Sequence, residues 1–186
     1  VSLVGLPIRS ENLRNYDQNR ETDMNTSSFQ VAVLKGDGIG IDVTEATLEI
    51  VEAAQNRVGG FSLEHNYIAA GAGYYKETGL DIAEGGEEAA GSADAIFLGA
   101  IGLPAVRYDD GTEISPHLRL RDLFQLYAGV RPVRAYPNAP QRLADPRAKD
   151  IDMIILREST EGLFYTAAVH DRCPVETNEE VQEIMR

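Results

Sequence analysis

The chain is expected to adopt an α/β fold around a largely parallel sheet, and three features carry that expectation. Short apolar runs that read as buried strands (FQVAVL at 29–34, DAIFLG at 94–99, DMIILR at 152–157) alternate with stretches of helical periodicity. The first run stops in a glycine turn, KGDGIG, and an amphipathic stretch follows at once. The composition is globular: 186 residues, 43% hydrophobic and 25% charged, with 17 Gly and 8 Pro. Domains of roughly 100–200 residues can bury a sizeable core without staples.

Charge narrows the function. Seventeen basic residues against 30 acidic ones leave a formal net charge of −13, which repels nucleic acid and anionic lipid, so no general affinity for either is expected. No segment approaches the roughly 20 apolar residues of a membrane span. One cysteine, Cys173, excludes an internal disulfide framework and a Cys-rich zinc site, and it fits a reducing compartment, with the cytoplasm as the expected location.

Residues 1–23 join a short apolar stretch to the polar run SENLRNYDQNRETD, with no periodicity. They read as a disordered leader. The basic start and long apolar core of a secretory signal are missing. The chain begins without Met, and Met24 stands just ahead of the first strand, so the expected natural start is Met24.

From Met24 the elements follow in order. Strand 29–34 runs into the glycine turn. Val43, Ala46, Ile50, Val51 and Ala54 then form one apolar stripe on a helix of about four turns that ends near Gly59-Gly60. Residues 61–69 alternate as a second strand, AGAGYYKETG and IAEGGEEAAGSA are short helical pieces, and 94–99 is a compact buried strand. Residues 24–103 are therefore expected to be the first part of a larger α/β domain.

After Pro104 the character changes. Residues 103–157 hold nine of the 17 basic residues against seven acids, a balance of +2 that leaves −15 for the rest. A helix is expected over about 117–127, a strand over 130–136, a loop over 137–149, and a buried strand over 152–157 that ends at the charged corner ESTEG. A hairpin-like stretch, LFYTAAVH, comes next. Thr177-Asn178-Glu179-Glu180 is a capping box that opens a further helix, with Val181, Ile184 and Met185 starting its apolar stripe. That helix stops after two turns. Residues 104–186 are expected to be the first part of a smaller α/β domain, so the fold as a whole is incomplete.

Two motifs carry candidate chemistry. In GDGIG the glycines let a ligand approach the backbone, and the following helix offers its positive end to an anion. As a dinucleotide fingerprint the motif fails, because G-x-G-x-x-G needs glycine where Ile41 stands, and no Walker lysine follows. A plain strand-to-helix turn stays open as the alternative. The second motif is the set Arg121, Arg131 and Arg157, whose planar guanidinium forks match carboxylates and together can hold a small di- or tricarboxylate. Fourteen of the 17 basic residues are arginine, so scattered surface arginines are the competing reading. Arg157 nevertheless closes an apolar strand and Arg131 opens one.

Other candidates are weaker. His117 reads as a surface histidine that could touch a ligand. His65 and His170 have no metal-like spacing, and Cys173 has no activating base nearby in sequence.

Taken together, VAVLKGDGIGIDVTEATLEIVEAA, the LGAIGLP turn, LRLRDLFQLYAGVRPVRAYP and DMIILRESTEGLF resemble the isocitrate/isopropylmalate dehydrogenase family of metal-dependent β-decarboxylating dehydrogenases. The resemblance covers about residues 30–186 and rests on four motifs in the family's order and spacing. It implies the family's own fold, which is not a Rossmann fold. It also implies NAD- or NADP-dependent oxidation and decarboxylation of a 2-hydroxy acid, with Mg²⁺ or Mn²⁺ polarising the hydroxyl.

Carried over residue by residue, the resemblance makes Arg121 and Arg131, ten residues apart, and Arg157 at the RES corner the clamp on the substrate's carboxylates. Arg119 is passed over. Ser115 falls where an isocitrate enzyme has a substrate-touching serine, although Pro116, His117 and Leu118 follow neither the isocitrate nor the usual isopropylmalate pattern. Ile101 and Gly102 are the implied contacts near the nicotinamide, and Ile39 an implied contact on the adenosine side.

The family usually has a tyrosine seven residues beyond the third arginine, where it helps deliver a proton. This chain has Phe164 there, with Tyr165 adjacent. In an extended segment adjacent side chains point to opposite faces, so Tyr165 is no simple substitute. Proton delivery then passes to another group or to water, or this branch uses a different substrate or a lower rate.

The family's catalytic lysine and metal-binding aspartates align beyond residue 186, some of them reaching the site from the second subunit of a homodimer. The resemblance therefore implies no metal ligand and no catalytic residue within residues 1–186, which alone are expected to be inactive. A 3-isopropylmalate-like substrate ranks first, followed by isocitrate, tartrate or malate. A non-catalytic binding or regulatory homologue is the alternative from another class.

Overall fold

Val31, Ala32, Val33 and Leu34 are all buried, which a strand with one wet face does not allow, so the first strand is covered on both sides. A computed structural model describes residues 2–5 and 27–160. It divides into two units, Val1–Leu120 and Arg121–Arg186.

In the first unit the strands are β1 (Ser2–Gly5), β2 (Ser27–Leu34), β3 (Phe61–Tyr67) and β4 (Ala95–Leu98), in the spatial order β1-β4-β2-β3. β2 pairs in parallel with both β3 and β4, so that Val31 faces His65 on one side and Ala95 on the other. Val31, Val33 and Phe97 form a buried cluster with Leu48 and Leu63 packed against it. Ala32, Leu34 and Ile96, one register step away, are buried on the opposite face. The parallel pairing bears out the expected α/β character.

Ser2–Gly5 lies inside the stretch read as a disordered leader, yet it pairs antiparallel with β4, Ser2 opposite Leu98 and Gly5 opposite Ala95. A strand edge exposes a row of backbone donors and acceptors, and a short extended segment satisfies them with little help from its own sequence pattern.

Helix α1 (Ile39–Val58) is present as expected, but it turns a different face to the sheet. Gly40 and Thr44 are buried, and Thr47, Leu48, Val51 and Gln55 are half-buried on the same side. Val43, Ala46, Ile50 and Ala54, the other members of the expected stripe, face outward, with Ile50 69% exposed. The cause lies at the helix start. A Cβ on Gly40 would lie 2.7 Å from the Lys35 carbonyl oxygen and would collide with that of Ala100. Close backbone contact there sets the rotation of the helix. Further along, Gln55 Oε1 accepts a 2.8 Å hydrogen bond from the Leu63 backbone N–H, tying the helix to β3.

Two short helices follow, α2 (Ala72–Thr78) and α3 (Gly86–Ser92), in place of the two Gly-interrupted pieces. The sequence placed the domain change near residue 103, whereas the division falls after Leu120. Residues 104–120 stay with the first unit because their polar side chains do: Tyr108 and Arg119 both bond to Asp81.

The division falls inside α4 (Pro116–Leu123), which is shorter than the expected 117–127 helix. In the second unit β5 (Ala128–Arg134) and β6 (Asp152–Glu158) form an antiparallel ribbon, joined through a 3-10 turn at Pro146–Asp150. Here the expectation of a buried β6 is corrected. Met153, Ile154, Ile155 and Leu156 are exposed, Leu156 by 71%. Among the described residues of this unit nothing forms a second layer over the two-stranded ribbon, and only Ser159 is buried. Residues 161–186, including LFYTAAVH and the capping box, lie outside the described residues.

Candidate active site

The two glycine motifs of the first unit, some sixty residues apart in sequence, are locked together at the carboxyl ends of β2 and β4. The Gly99 N–H donates to the Leu34 carbonyl (2.8 Å), continuing the parallel ladder, and the Asp37 N–H donates to the Ala100 carbonyl (2.7 Å). A Cβ on Gly36 would collide with the Ala100 carbonyl, and one on Gly99 with that of Lys35. Only bare backbone allows this approach. In open α/β sheets ligands bind outside the carboxyl ends of the strands, and both motifs lie there.

The implied cofactor contacts sit on this platform. Ile39, the first residue of α1, is 66% exposed. Ile101 is half-buried and Gly102 exposed. Gly102 has φ +118, and no atom lies within 4 Å of where a Cβ would stand. Ile39 offers an exposed apolar side chain and Gly102 a bare, open backbone position, the two kinds of surface on which a flat ring system packs.

Sequence reasoning missed the residue that organises this platform. Asp37 is buried, and its carboxylate accepts three backbone N–H bonds, from Ala72 (2.7 Å), Gly73 (2.7 Å) and Gly102 (2.8 Å). The one signal available was an acidic side chain inside an otherwise bare glycine turn.

Ser115 is half-buried just ahead of α4, and its hydroxyl donates to the Glu113 carbonyl at 3.2 Å. A polar cluster borders it. Tyr108 donates to Asp81 (2.6 Å), Arg119 grips both oxygens of Asp81 (2.6 and 2.9 Å), and Arg119 also bonds Glu87. Burial, and then the hydrogen bond to Asp81, push the Tyr108 hydroxyl up to about 12. Burial also pushes Asp81 upward, but its bonds from Arg119 and Tyr108 outweigh that and hold it below the usual carboxylate range. The Asp81 bond raises the Arg119 guanidinium still further. Arg119 is thus engaged with carboxylates of its own chain.

The three candidate arginines all belong to the second unit. Arg131 and Arg157 share one face of the β5–β6 ribbon: Arg157 is directly opposite Gly129, and Arg131 lies two residues further along β5. Arg121 joins them from the last turn of α4. Burial lowers the pKa of its guanidinium, and the positive charges of Arg157 and then Arg131 lower it further. Three cations therefore share one field. Ser159, buried at the end of β6, accepts from Arg157 Nε at 3.4 Å.

The link from α4 to this ribbon is a tight turn. Gln125 adopts a left-handed backbone, φ +50, its N–H donating to the Asp122 carbonyl (3.1 Å) while the Leu126 N–H returns to the Arg121 carbonyl (2.9 Å). That is the Schellman arrangement, with glutamine where glycine is usual.

His117 is half-buried in α4, and His65 meets Tyr67 edge-on at 6.3 Å. Phe164, Tyr165, His170 and Cys173 lie outside the described residues. Among the described residues no three His, Cys, Asp or Glu side chains gather as a metal site. By themselves these residues do not fit a divalent ion. No described helix is long and apolar enough to cross a membrane.

Known proteins match this chain along most of its length. The family model for isocitrate/isopropylmalate dehydrogenase matches residues 30–186. A probable tartrate dehydrogenase/decarboxylase of Agrobacterium vitis is 34% identical over 155 residues, covering 82% of this chain and 43% of that protein. A 3-isopropylmalate dehydrogenase of Thermobifida fusca is 38% identical over 141 residues, covering 76% of this chain and 39% of that protein. The crystal structure of a β-decarboxylating dehydrogenase from Thermococcus kodakarensis superposes with a TM-score of 0.52 at 29% identity, covering 72% of this chain and 35% of that one. The chain spans about two fifths of the length of the curated relatives it matches. With more than four fifths of its residues under the family model, the chain belongs to the isocitrate/isopropylmalate dehydrogenase family.

Proposed function

We propose that the whole protein is an NAD- or NADP-dependent oxidative decarboxylase of a 2-hydroxy acid, with a 3-isopropylmalate-like substrate first in rank and tartrate, isocitrate or malate behind it. The carrying observation is that Arg131 and Arg157 share one face of the β5–β6 ribbon, with Arg121 near enough to feel the charge of both. Planar guanidinium forks grouped on one ribbon face match an anion with two or more carboxylates and offer it charge-assisted hydrogen bonds. Such a clamp orients the carbon that bears the hydroxyl and carries positive potential beside a substrate that stays anionic throughout.

The nicotinamide ring, when bound, supplies the hydride acceptor. Ile39, Ile101 and Gly102 are the residues of this chain that would hold the cofactor, and Ser115 would contact the substrate near its distinguishing group. The same family reading includes Mg²⁺ or Mn²⁺, a homodimer with a shared active site, and a cytoplasmic location. A non-catalytic binding homologue is the second reading, favoured by Phe164 in place of the family's tyrosine.

The test is to express the whole protein, supply Mg²⁺ or Mn²⁺, and follow NADH and NADPH formation with isopropylmalate, isocitrate, tartrate and malate. Turnover with one acid is expected, and Arg131→Met or Arg157→Met should each raise its KM by about 10- to 100-fold, the loss of a charge-assisted bond. Binding of one acid that depends on Arg131, without turnover of any, would establish the second reading instead. Turnover unaffected by either substitution would remove the arginine clamp.

A further inference from the structure

We infer that Asp37 is a positioning residue for the cofactor-facing turn, holding Ile101 and Gly102 in the arrangement that accepts the nicotinamide end of the dinucleotide. The inference rests on the dehydrogenase reading above and adds a residue that the family resemblance did not supply.

Asp37 meets the turn at two points. Its backbone N–H donates to the Ala100 carbonyl at 2.7 Å, and its side-chain Oδ2 accepts from the Gly102 N–H at 2.8 Å. Ile101 is bracketed, with the residue on each side tied to the same aspartate. Two fixed peptides flanking one residue leave little freedom in the direction of its side chain. Gly102, at φ +118 with open space where a Cβ would stand, gains no packing that would hold it there by itself. The hydrogen bond to Oδ2 supplies that restraint.

The carboxylate is itself anchored. Oδ2 also accepts from the Ala72 N–H and Oδ1 from the Gly73 N–H, both at 2.7 Å, at the start of α2. A Cβ on Gly73 would come within 3.2 Å of Oδ1, and one on Gly71 would collide with the carboxylate, so glycines clear the space it occupies. Asp37 is therefore a buried strut with one end on the helix and the other on the turn. A strut that served α2 alone would need only the Ala72 and Gly73 bonds. The Gly102 bond is the part that bears on the cofactor.

An asparagine at this position keeps an oxygen that can sit where Oδ2 does, taking the Ala72 and Gly102 N–H groups and losing only Gly73. A serine is too short to span both ends. In the whole protein, dissociation constants for NADH and NADPH are to be measured by nucleotide fluorescence, those for the hydroxy acid by calorimetry, and folding by thermal melts. The expected result is a tenfold or larger rise in nucleotide Kd for Asp37→Ser, with hydroxy-acid Kd within twofold of wild type, and recovery to within threefold for Asp37→Asn.

Two results would overturn the inference: a folded Asp37→Ser protein with unchanged nucleotide affinity, or parallel losses of nucleotide and hydroxy-acid binding in both variants. Should Asp37→Ser not fold, Asp37→Glu reads the same turn: its longer stem shifts the carboxylate from the position that serves the Ala72 and Gly102 N–H groups together, so it should weaken nucleotide binding tenfold and leave the hydroxy acid within twofold; unchanged nucleotide binding would again overturn the inference. A wild-type protein that binds neither nucleotide would instead remove the dehydrogenase reading, and this inference with it.

Discussion

Arg157 stands directly across the β5–β6 ribbon from Gly129, so the cross-strand neighbour of this candidate substrate-holding arginine has no side chain. A Cβ at position 129 would lie 3.2 Å from the Arg157 carbonyl oxygen, 3.6 Å from its Cβ and 3.6 Å from Ser159 Oγ. The bare position leaves room for the arginine's stem and for the serine beside it. A branched side chain there would press on both.

Gly129→Val should therefore displace the Arg157 guanidinium. In the whole protein the expected outcome is a rise of about tenfold in KM for the hydroxy acid, the size of one ordinary hydrogen bond, with nucleotide affinity unchanged. Steady-state kinetics at saturating cofactor checks it, and a KM within twofold of wild type would show that the arginine does not depend on its neighbour.

Gln125 offers a prediction of opposite sign. Its left-handed backbone, φ +50, serves the turn that joins Arg121 to β5, and a side chain with a Cβ is disfavoured in that region. Gln125→Gly should stabilise the protein by about 0.5–1 kcal/mol, the gain of removing the Cβ less the added freedom of the unfolded chain. The loss of the 2.7 Å bond from Gln125 Nε2 to the Asp122 carbonyl takes back little, since that bond is exposed. A lower midpoint in chemical denaturation would show that the side chain, and not the backbone, holds the turn.

The cluster around Asp81 predicts a pH dependence at both ends of the scale. Tyr108 is raised to about 12 in the folded chain, above its ordinary value near 10. Its contribution is fully present below pH 10 and is lost as pH rises towards 12, because the unfolded chain ionises first. Tyr108→Phe should thus cost on the order of 1 kcal/mol at pH 8, discounted for partial exposure, and the gap to wild type should close between pH 10 and 12. Asp81, held low, works in the other direction: its contribution is present above the ordinary carboxylate value and lost as pH falls through the lowered one. Arg119→Met should accordingly cost less at pH 3 than at pH 7. Paired melting curves across these ranges check both, and a constant gap would detach the cluster from stability.

Local pattern was sufficient to locate nearly every element of the described chain, because glycine turns and apolar periodicity act over a few residues. GDGIG marked the end of β2, whereas the choice of Arg121, Arg131 and Arg157 over Arg119 came from the family resemblance and not from local pattern. Three matters depended on partners distant in sequence. The face that α1 buries was decided by backbone contact between Gly40 and Ala100, so Ile50 faces outward despite lying on the most apolar stripe. The exposure of β6 follows from the lack of a covering layer among the described residues, which a run of apolar residues does not encode. The role of Asp37 was decided by three N–H groups, two of them 35 and 36 residues away and the third 65 away. A short-range pattern records which residues prefer burial or a turn; only folding determines which backbone groups meet them, since each such contact is made between segments that the sequence keeps far apart.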